Sequence, residues 1–207
     1  MPFTYQEAEL AFKQNKIRDL YRDPQGLRFL KLRSLYRASR PQYVEELLKV
    51  SGCDIRLTQN MRHLQALYES TITDEDIDNT VCAIYNEERS ERTAHEKELI
   101  SELYKLKVFD WGGLHQNSLE KTIVNNYVKK IRSLDDLSER IDAELHDSMR
   151  NYVLCSWYNH WTSIIIEDIF KDHAAVLPTV GQIKKIDFFI GNIPFDLKVT
   201  RSGCKTS

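Results

Sequence analysis

Asp187, Asp196 and Lys198 place two carboxylates and an amine close together near the end of the chain. Around them, Lys185-Ile186-Asp187-Phe188-Phe189-Ile190-Gly191-Asn192-Ile193-Pro194-Phe195-Asp196-Leu197-Lys198-Val199-Thr200 reads as two apolar-alternating runs joined by Gly-Asn. That is the pattern of a β-hairpin with a two-residue turn. With Gly191 and Asn192 as the turn, Ile190 faces Ile193, and counting back sets Asp187 opposite Asp196 and Lys185 opposite Lys198. Carboxylates directly across an antiparallel pair repel each other. A divalent cation between them removes that repulsion: Mg²⁺ takes oxygen ligands at about 2.0–2.1 Å and is commonly held by one or two protein carboxylates with waters and a substrate phosphate. Lys198 on the same face supplies a second cation beside such a phosphate, its ammonium kept protonated by the carboxylates. The plainer alternative is a solvated sheet face neutralised by Lys185 and Lys198 alone.

The elements that must position these groups are legible nearby. Period-two alternation sends Ile186, Phe188, Ile190, Ile193, Phe195, Leu197 and Val199 to the opposite face, an apolar back suited to a core. Upstream, residues 156–170 contain neither Gly nor Pro and carry apolar residues at helical spacing. On that helix Glu167 shares a face with Ile164 and Phe170, where an acid needs a partner or an outlet to solvent. Residues 174–180 read as a further short strand, giving the order helix, strand, strand, strand.

Glu167 on a helix, a strand, then Asp187 and Asp196-Leu197-Lys198 on a hairpin resembles the PD-(D/E)xK nuclease superfamily, the fold of many type II restriction endonucleases. The resemblance spans residues 145–200, with Ile186 where the name-giving proline would stand. It implies that Asp187, Asp196 and the backbone carbonyl of Leu197 hold Mg²⁺, with Mn²⁺ as a substitute. It further implies that Lys198 orients or stabilises the attacking water and phosphate, and that Glu167 completes the catalytic set. The family core continues beyond the lysine strand with a helix and another strand, whereas nine residues follow Lys198; the core is therefore expected to be C-terminally incomplete. The implied function is Mg²⁺-dependent hydrolysis of DNA phosphodiesters by a type II restriction endonuclease defending against foreign DNA. Its implied partners are double-stranded DNA, a second copy in a homodimer and a companion DNA methyltransferase. The alternatives are a repair, recombination or phage-defence nuclease, or a non-catalytic DNA-binding or assembly protein with a relic core.

The rest of the 207 residues suffices for one sizeable core, or for a helical domain with a smaller catalytic one. A net charge of −2 gives no global polyelectrolyte signal, yet charge is segregated. From Lys13 to Arg40 nine Lys/Arg stand against two Asp, and from Glu69 to Glu102 eleven acids stand against three bases. Arg28, Lys31, Arg37 and Arg40, mixed with aromatic residues such as Tyr21, are the candidate DNA-contacting cations; a solvated helix face is the alternative. Cys53, Cys82, Cys155 and Cys204 are too scattered for a metal-ligand pair and suit a cytoplasmic protein with reduced thiols. The N-terminus lacks the apolar core of a signal peptide, and the longest apolar run is too short to cross a bilayer, so no membrane association is expected.

The expected class is α+β: a mostly helical part over 1–133, a DNA-contacting or dimerisation region, followed over 134–207 by a restriction-endonuclease-like helix and three-stranded sheet. Helix breaks are expected at Asp23-Pro24-Gln25-Gly26, Arg40-Pro41, Ser51-Gly52 and Trp111-Gly112-Gly113. Thr73 with Asp76 forms a candidate capping box ahead of an Ile77, Val81, Ile84 stripe. Ser133 gives a similar start ahead of Leu134, Leu137, Ile141, Leu145 and Met149, a stripe expected to pack in the core.

Overall fold

The computed structural model describes residues 2–57, 61–106, 123–183 and 185–198. Over these the chain is mixed α+β, mostly helical with one small antiparallel sheet. The expected break at Trp111-Gly112-Gly113 and the strand position of Val199 lie outside the described residues.

Local chemistry accounts for the N-terminal helices. Helix α1 (Tyr5–Lys13) starts at a Thr4–Glu7 capping box, and the short α2 (Ile17–Tyr21) follows. At Asp23-Pro24-Gln25-Gly26 the chain breaks before Asp23 and restarts at once as α3 (Pro24–Ser34). The Asp23 carboxylate accepts the N–H groups of Gln25 at 3.0 Å and Gly26 at 2.9 Å, while Pro24 occupies a first-turn position where no N–H is needed. Pro41 opens α4 (Pro41–Val50) in the same manner, and Gly52, with a positive φ, follows its end. Helix α5 (Arg62–Glu69) comes next. Helix α6 (Asp74–Tyr104) begins at the expected capping box: Thr73 N–H and hydroxyl donate to the Asp76 carboxylate at 2.8 and 2.7 Å, and Asp76 N–H donates to the Thr73 hydroxyl at 3.1 Å. The stripe behind that cap, Ile77, Val81 and Ile84, is buried with Leu20, Leu30, Leu64 and Leu67 in the main core.

The two segregated charge runs meet in this part of the fold. Arg28 pairs with Asp74 at 2.8 Å, Lys31 with Asp78 at 2.7 Å, and Arg40 with Glu87 at 2.9 Å and Glu91 at 2.5 Å. Three cations of the basic run thus pair with four acids of that helix.

At the C-terminal end, Ser133 caps α7 (Leu134–Arg140), its hydroxyl accepting the Asp136 N–H at 3.3 Å. A π-helical turn (Ile141–Leu145) leads directly into α8 (His146–Lys171). The Leu134 to Met149 stripe differs from its expected place in a core: Leu134 and Met149 are exposed, and Leu137, Ile141 and Leu145 are half-buried. The wider π turn breaks the 3.6-residue period on which a continuous buried face depends.

Three strands follow, β1 (Val176–Ile183), β2 (Ile186–Ile190) and β3 (Ile193–Phe195), as an antiparallel meander in sequence order. The hairpin has the expected register, with Ile190 opposite Ile193 and Phe188 opposite Phe195. Gly191 at φ 54° and Asn192 at φ 68° make the turn, the doubly left-handed geometry of a type I′ hairpin. Pro194 lies opposite Phe189 on the edge strand, the kind of position where a missing N–H is tolerated. The apolar back is covered at one end only. Ile186 and Phe188 are buried, with Phe170 of α8 stacked on Phe188 at 5.8 Å, whereas Ile190 and Ile193 at the tip are exposed, as is Phe195, which stacks on Phe188 from the edge strand at 5.9 Å. The face bearing Asp187 is not wholly charged either, since Phe189 on it is buried in the main core.

The chain compacts as two units, Met1–Ala94 with Glu167–Ser207, and His95–Ile166. The expected division at 133/134 differs from this, for a physical reason. Small sheets gain stability by packing against helices, and here Ile183, Ile186 and Phe189 enter the same core as α3 and α5. At Gly181 the approach of β1 to the α3 C-terminus is so close that a Cβ would lie 2.4 Å from the Ser34 carbonyl oxygen and 2.7 Å from that of Tyr36. Among the described residues, no helix is long and apolar enough to cross a membrane.

Candidate functional site

The last two turns of α8 present two different faces. Asp168 and, one residue past the helix end, Asp172 point to α6, where Arg92 grips Asp168 with two hydrogen bonds at 2.9 and 2.8 Å. Arg89 grips Asp172 at 3.0 and 2.9 Å, and the Tyr85 hydroxyl donates its one proton to Asp172 at 2.9 Å, with Asp168 also within 3.2 Å of it. Two-pronged guanidinium–carboxylate pairs fix orientation as well as distance. With that face fixed, Glu167 and Lys171, four residues apart on the adjacent face, line a cleft of about 690 Å³ together with Thr179, Gly181 and Asp187. Lys171 donates to Glu167 at 3.0 Å, which supplies the partner that an acid among apolar neighbours requires.

Across the cleft, Asp187 is half-buried on β2. The Thr179 hydroxyl donates to its backbone carbonyl at 2.8 Å, and its carboxylate accepts the Leu197 N–H at 2.7 Å. Here the ladder between β2 and β3 has ended. In the register that would set Asp187 against Asp196, the Asp187 side chain takes the backbone donor instead. This keeps the two carboxylates from competing for the same space and ties residues 196–198 to β2. Lys198 donates to Asp196 at 2.5 Å. That hydrogen bond raises the Lys198 ammonium above its ordinary value, and the charges of Asp196, Asp187 and Glu167 raise it further. All four expected catalytic residues therefore share one electrostatic neighbourhood.

They do not share one cage. Glu167 is turned to Lys171, Asp187 to Leu197 N–H and Asp196 to Lys198. Among the described residues, no three His, Cys, Asp or Glu side chains are gathered as a metal-binding group. Leu197, expected to offer its carbonyl, makes its contact here through its N–H. The donor chemistry nevertheless suits Mg²⁺: three carboxylates border the cleft and the segment tied to it, and oxygen ligands are what that ion takes.

The candidate DNA-contacting cations separate into two kinds. Arg28 and Lys31 are buried, 7% and 3% exposed. Arg28 donates to the carbonyls of Tyr68, Leu67 and Ile72 as well as to Asp74, and Lys31 is held by Asp78. These two are corrected from surface cations to structural ones, because the acidic helix draws them inward. Arg40 is likewise engaged by Glu87 and Glu91. Arg37 alone of the four is exposed, its guanidinium over the Tyr36 ring at 5.1 Å.

Sequence reasoning passes over Lys171, Thr179 and Gly181. The Glu167 to Lys171 spacing is a usable signal for an intrahelical pair, whereas Thr179 and Gly181 reach the cleft through packing against elements remote in sequence. Compared with protein-family models, curated proteins and solved structures, the chain matches none.

Proposed function

We propose that this protein is a Mg²⁺-dependent DNA endonuclease of restriction type. The observation that carries the reading is the convergence of Glu167 and Asp187 on one cleft, with Asp196 and Lys198 tied to its edge through the Leu197 N–H. The order of helix, strand and hairpin supports it, being that of the PD-(D/E)xK core.

Asp187, Asp196 and Glu167, with the Leu197 carbonyl, are the groups that would hold Mg²⁺. The ion, when bound, would polarise the scissile phosphate and make a bound water a stronger acid. Lys198 has its own role. Its ammonium, paired with Asp196, suits stabilisation of charge on the phosphate. Lys171 offsets the Glu167 charge from one turn along the helix. Thr179 fixes the β2 backbone at Asp187, so that the carboxylate is presented from a strand rather than a loop. In this reading the chain acts as a cytoplasmic homodimer on double-stranded DNA, beside a companion methyltransferase that protects the host.

The test is plasmid cleavage in Mg²⁺ by the full chain and by Asp196→Ala and Lys198→Ala. Discrete fragments from the parent, absent with both variants, are expected. Cutting that survives both substitutions would remove this site from the chemistry.

A further inference from the structure

The turn that follows α3 gathers two guanidiniums on one ring. Arg33 lies over Tyr36 at 4.6 Å and Arg37 at 5.1 Å. Like charges so placed repel, and elsewhere in this chain guanidiniums drawn into contacts meet acids: Arg28, Arg40, Arg89, Arg92 and Arg140 each face a carboxylate. Among the described residues Arg33 and Arg37 face none. Arg33 instead reaches the Met61 thioether, a weak acceptor, and the Phe12 ring at 5.5 Å. The backbone is bent to hold this arrangement, because Arg37 adopts φ 58°, a left-handed conformation uncommon for a side chain of its kind. Such strain persists only where surrounding structure holds it.

The location gives the cluster a meaning. The Tyr36 carbonyl packs so tightly on Gly181 that no side chain fits between them, and Gly181 lines the cleft that contains Glu167 and Asp187. The arginine turn is thus built on the wall of the candidate site. A multidentate oxyanion is the ligand that two adjacent guanidiniums and no carboxylate select, and Arg forks match phosphate oxygens in pairs.

We propose that Arg33, Tyr36 and Arg37 form a phosphate-binding site that receives a backbone phosphodiester of duplex DNA on the flank of the Glu167–Asp187 cleft; this rests on the nuclease reading. The tyrosine holds both guanidiniums without neutralising them, and the DNA phosphate supplies the missing charge. Arg28, Lys31 and Arg40, with their internal partners, do not take part.

The experiment is binding of a short fluorescent DNA duplex to the full chain in EDTA, followed by anisotropy over a range of salt concentrations. Removing one phosphate-neutralising side chain should reduce the log–log salt slope by about 0.9. Arg37→Gln is therefore expected to lower it by about 0.9 and Arg33→Gln with Arg37→Gln by about 1.8, while Arg37→Lys keeps the parent slope. Should the double variant fold poorly, the exposed Arg37 single variant decides. Unchanged slope and affinity in Arg37→Gln, or a parent chain that binds no duplex, overturns the proposal. Cleavage in Mg²⁺ separates it from the reading beneath: cutting with an unchanged slope overturns the phosphate site alone. The expected slopes without cutting overturn the nuclease reading alone.

Discussion

Arg28 and Arg37 are the same residue type nine positions apart, and the fold gives them opposite tasks. Nothing local distinguishes them, since the partners of Arg28 are 39 to 46 residues away in sequence. Hydropathy alone places Arg28 at the surface because an arginine is costly to bury by itself; three carbonyls and Asp74 remove that cost. The carboxylates of the candidate site are more legible, because Asp187, Asp196 and Lys198 are set by a two-residue turn and period-two counting. Glu167 joins them only through helix periodicity and a resemblance. If Arg28 is structural, its removal takes their side-chain donor from the buried carbonyls of Tyr68 and Ile72, while that of Leu67 keeps the Ser70 hydroxyl at 2.8 Å, at about 1–3 kcal/mol for each group left without a partner. Arg28→Met is therefore expected to destabilise the protein by about 3 kcal/mol, with relaxation recovering part of the loss. Urea unfolding measures this. A midpoint equal to that of the parent would return Arg28 to the surface and reopen its candidacy for phosphate contact.

At the scale of elements, the hairpin is readable and its neighbours are not. The alternation in β2 and β3 and the Gly-Asn turn depend on adjacent residues, so register follows from counting. Coverage of the two faces does not follow from counting: Phe170 stacks on Phe188 but stops short of the tip, leaving Ile190 and Ile193 exposed. The meeting of β1 with α3 is similarly hidden in sequence, where Gly181 has no distinguishing signal. That contact has a direct test. A methyl group at position 181 meets two carbonyl oxygens of the backbone, at 2.4 and 2.7 Å, and backbone cannot swing aside as a side chain can. Overpacking of this kind costs about 1–3 kcal/mol. Gly181→Ala should accordingly lower the urea midpoint while leaving the m-value near that of the parent, and it should also weaken DNA binding, because the displaced wall carries Tyr36 and Arg37. Full stability in Gly181→Ala would mean that β1 and α3 are less tightly joined than their geometry requires.

At the scale of the whole chain, a net charge of −2 conceals two strongly charged runs that pair with each other, Arg28, Lys31 and Arg40 with acids of α6. The sheet adds apolar residues to the main core, and the carboxylates at the end of α8 take up arginines of α6. Such long-range complementarity is visible in sequence as segregation, though its outcome, internal pairing, is not. It makes stability depend on carboxylate ionisation. The Arg89 hydrogen bond holds Asp172 below its ordinary 3.8, the Thr73 hydroxyl holds Asp76 below the same value, and the Thr4 backbone N–H holds Glu7 below 4.5. Each of these groups takes up a proton more readily in the unfolded chain than in the folded one. The stability they contribute is thus fully present above the unfolded values and is lost as pH falls through them towards the lower folded ones. Asp78 opposes this, since burial raises it despite Lys31, but it is one group against three. The melting temperature should therefore be nearly level from pH 7 to about 5 and decline below about 4.5. Asp172→Asn should melt lower at neutral pH and show a shallower acid decline, because the proton-linked part of the clamp between α6 and α8 is already gone. Calorimetry of both proteins between pH 3 and 7 checks it, and parallel declines would show that Asp172 contributes nothing to acid sensitivity.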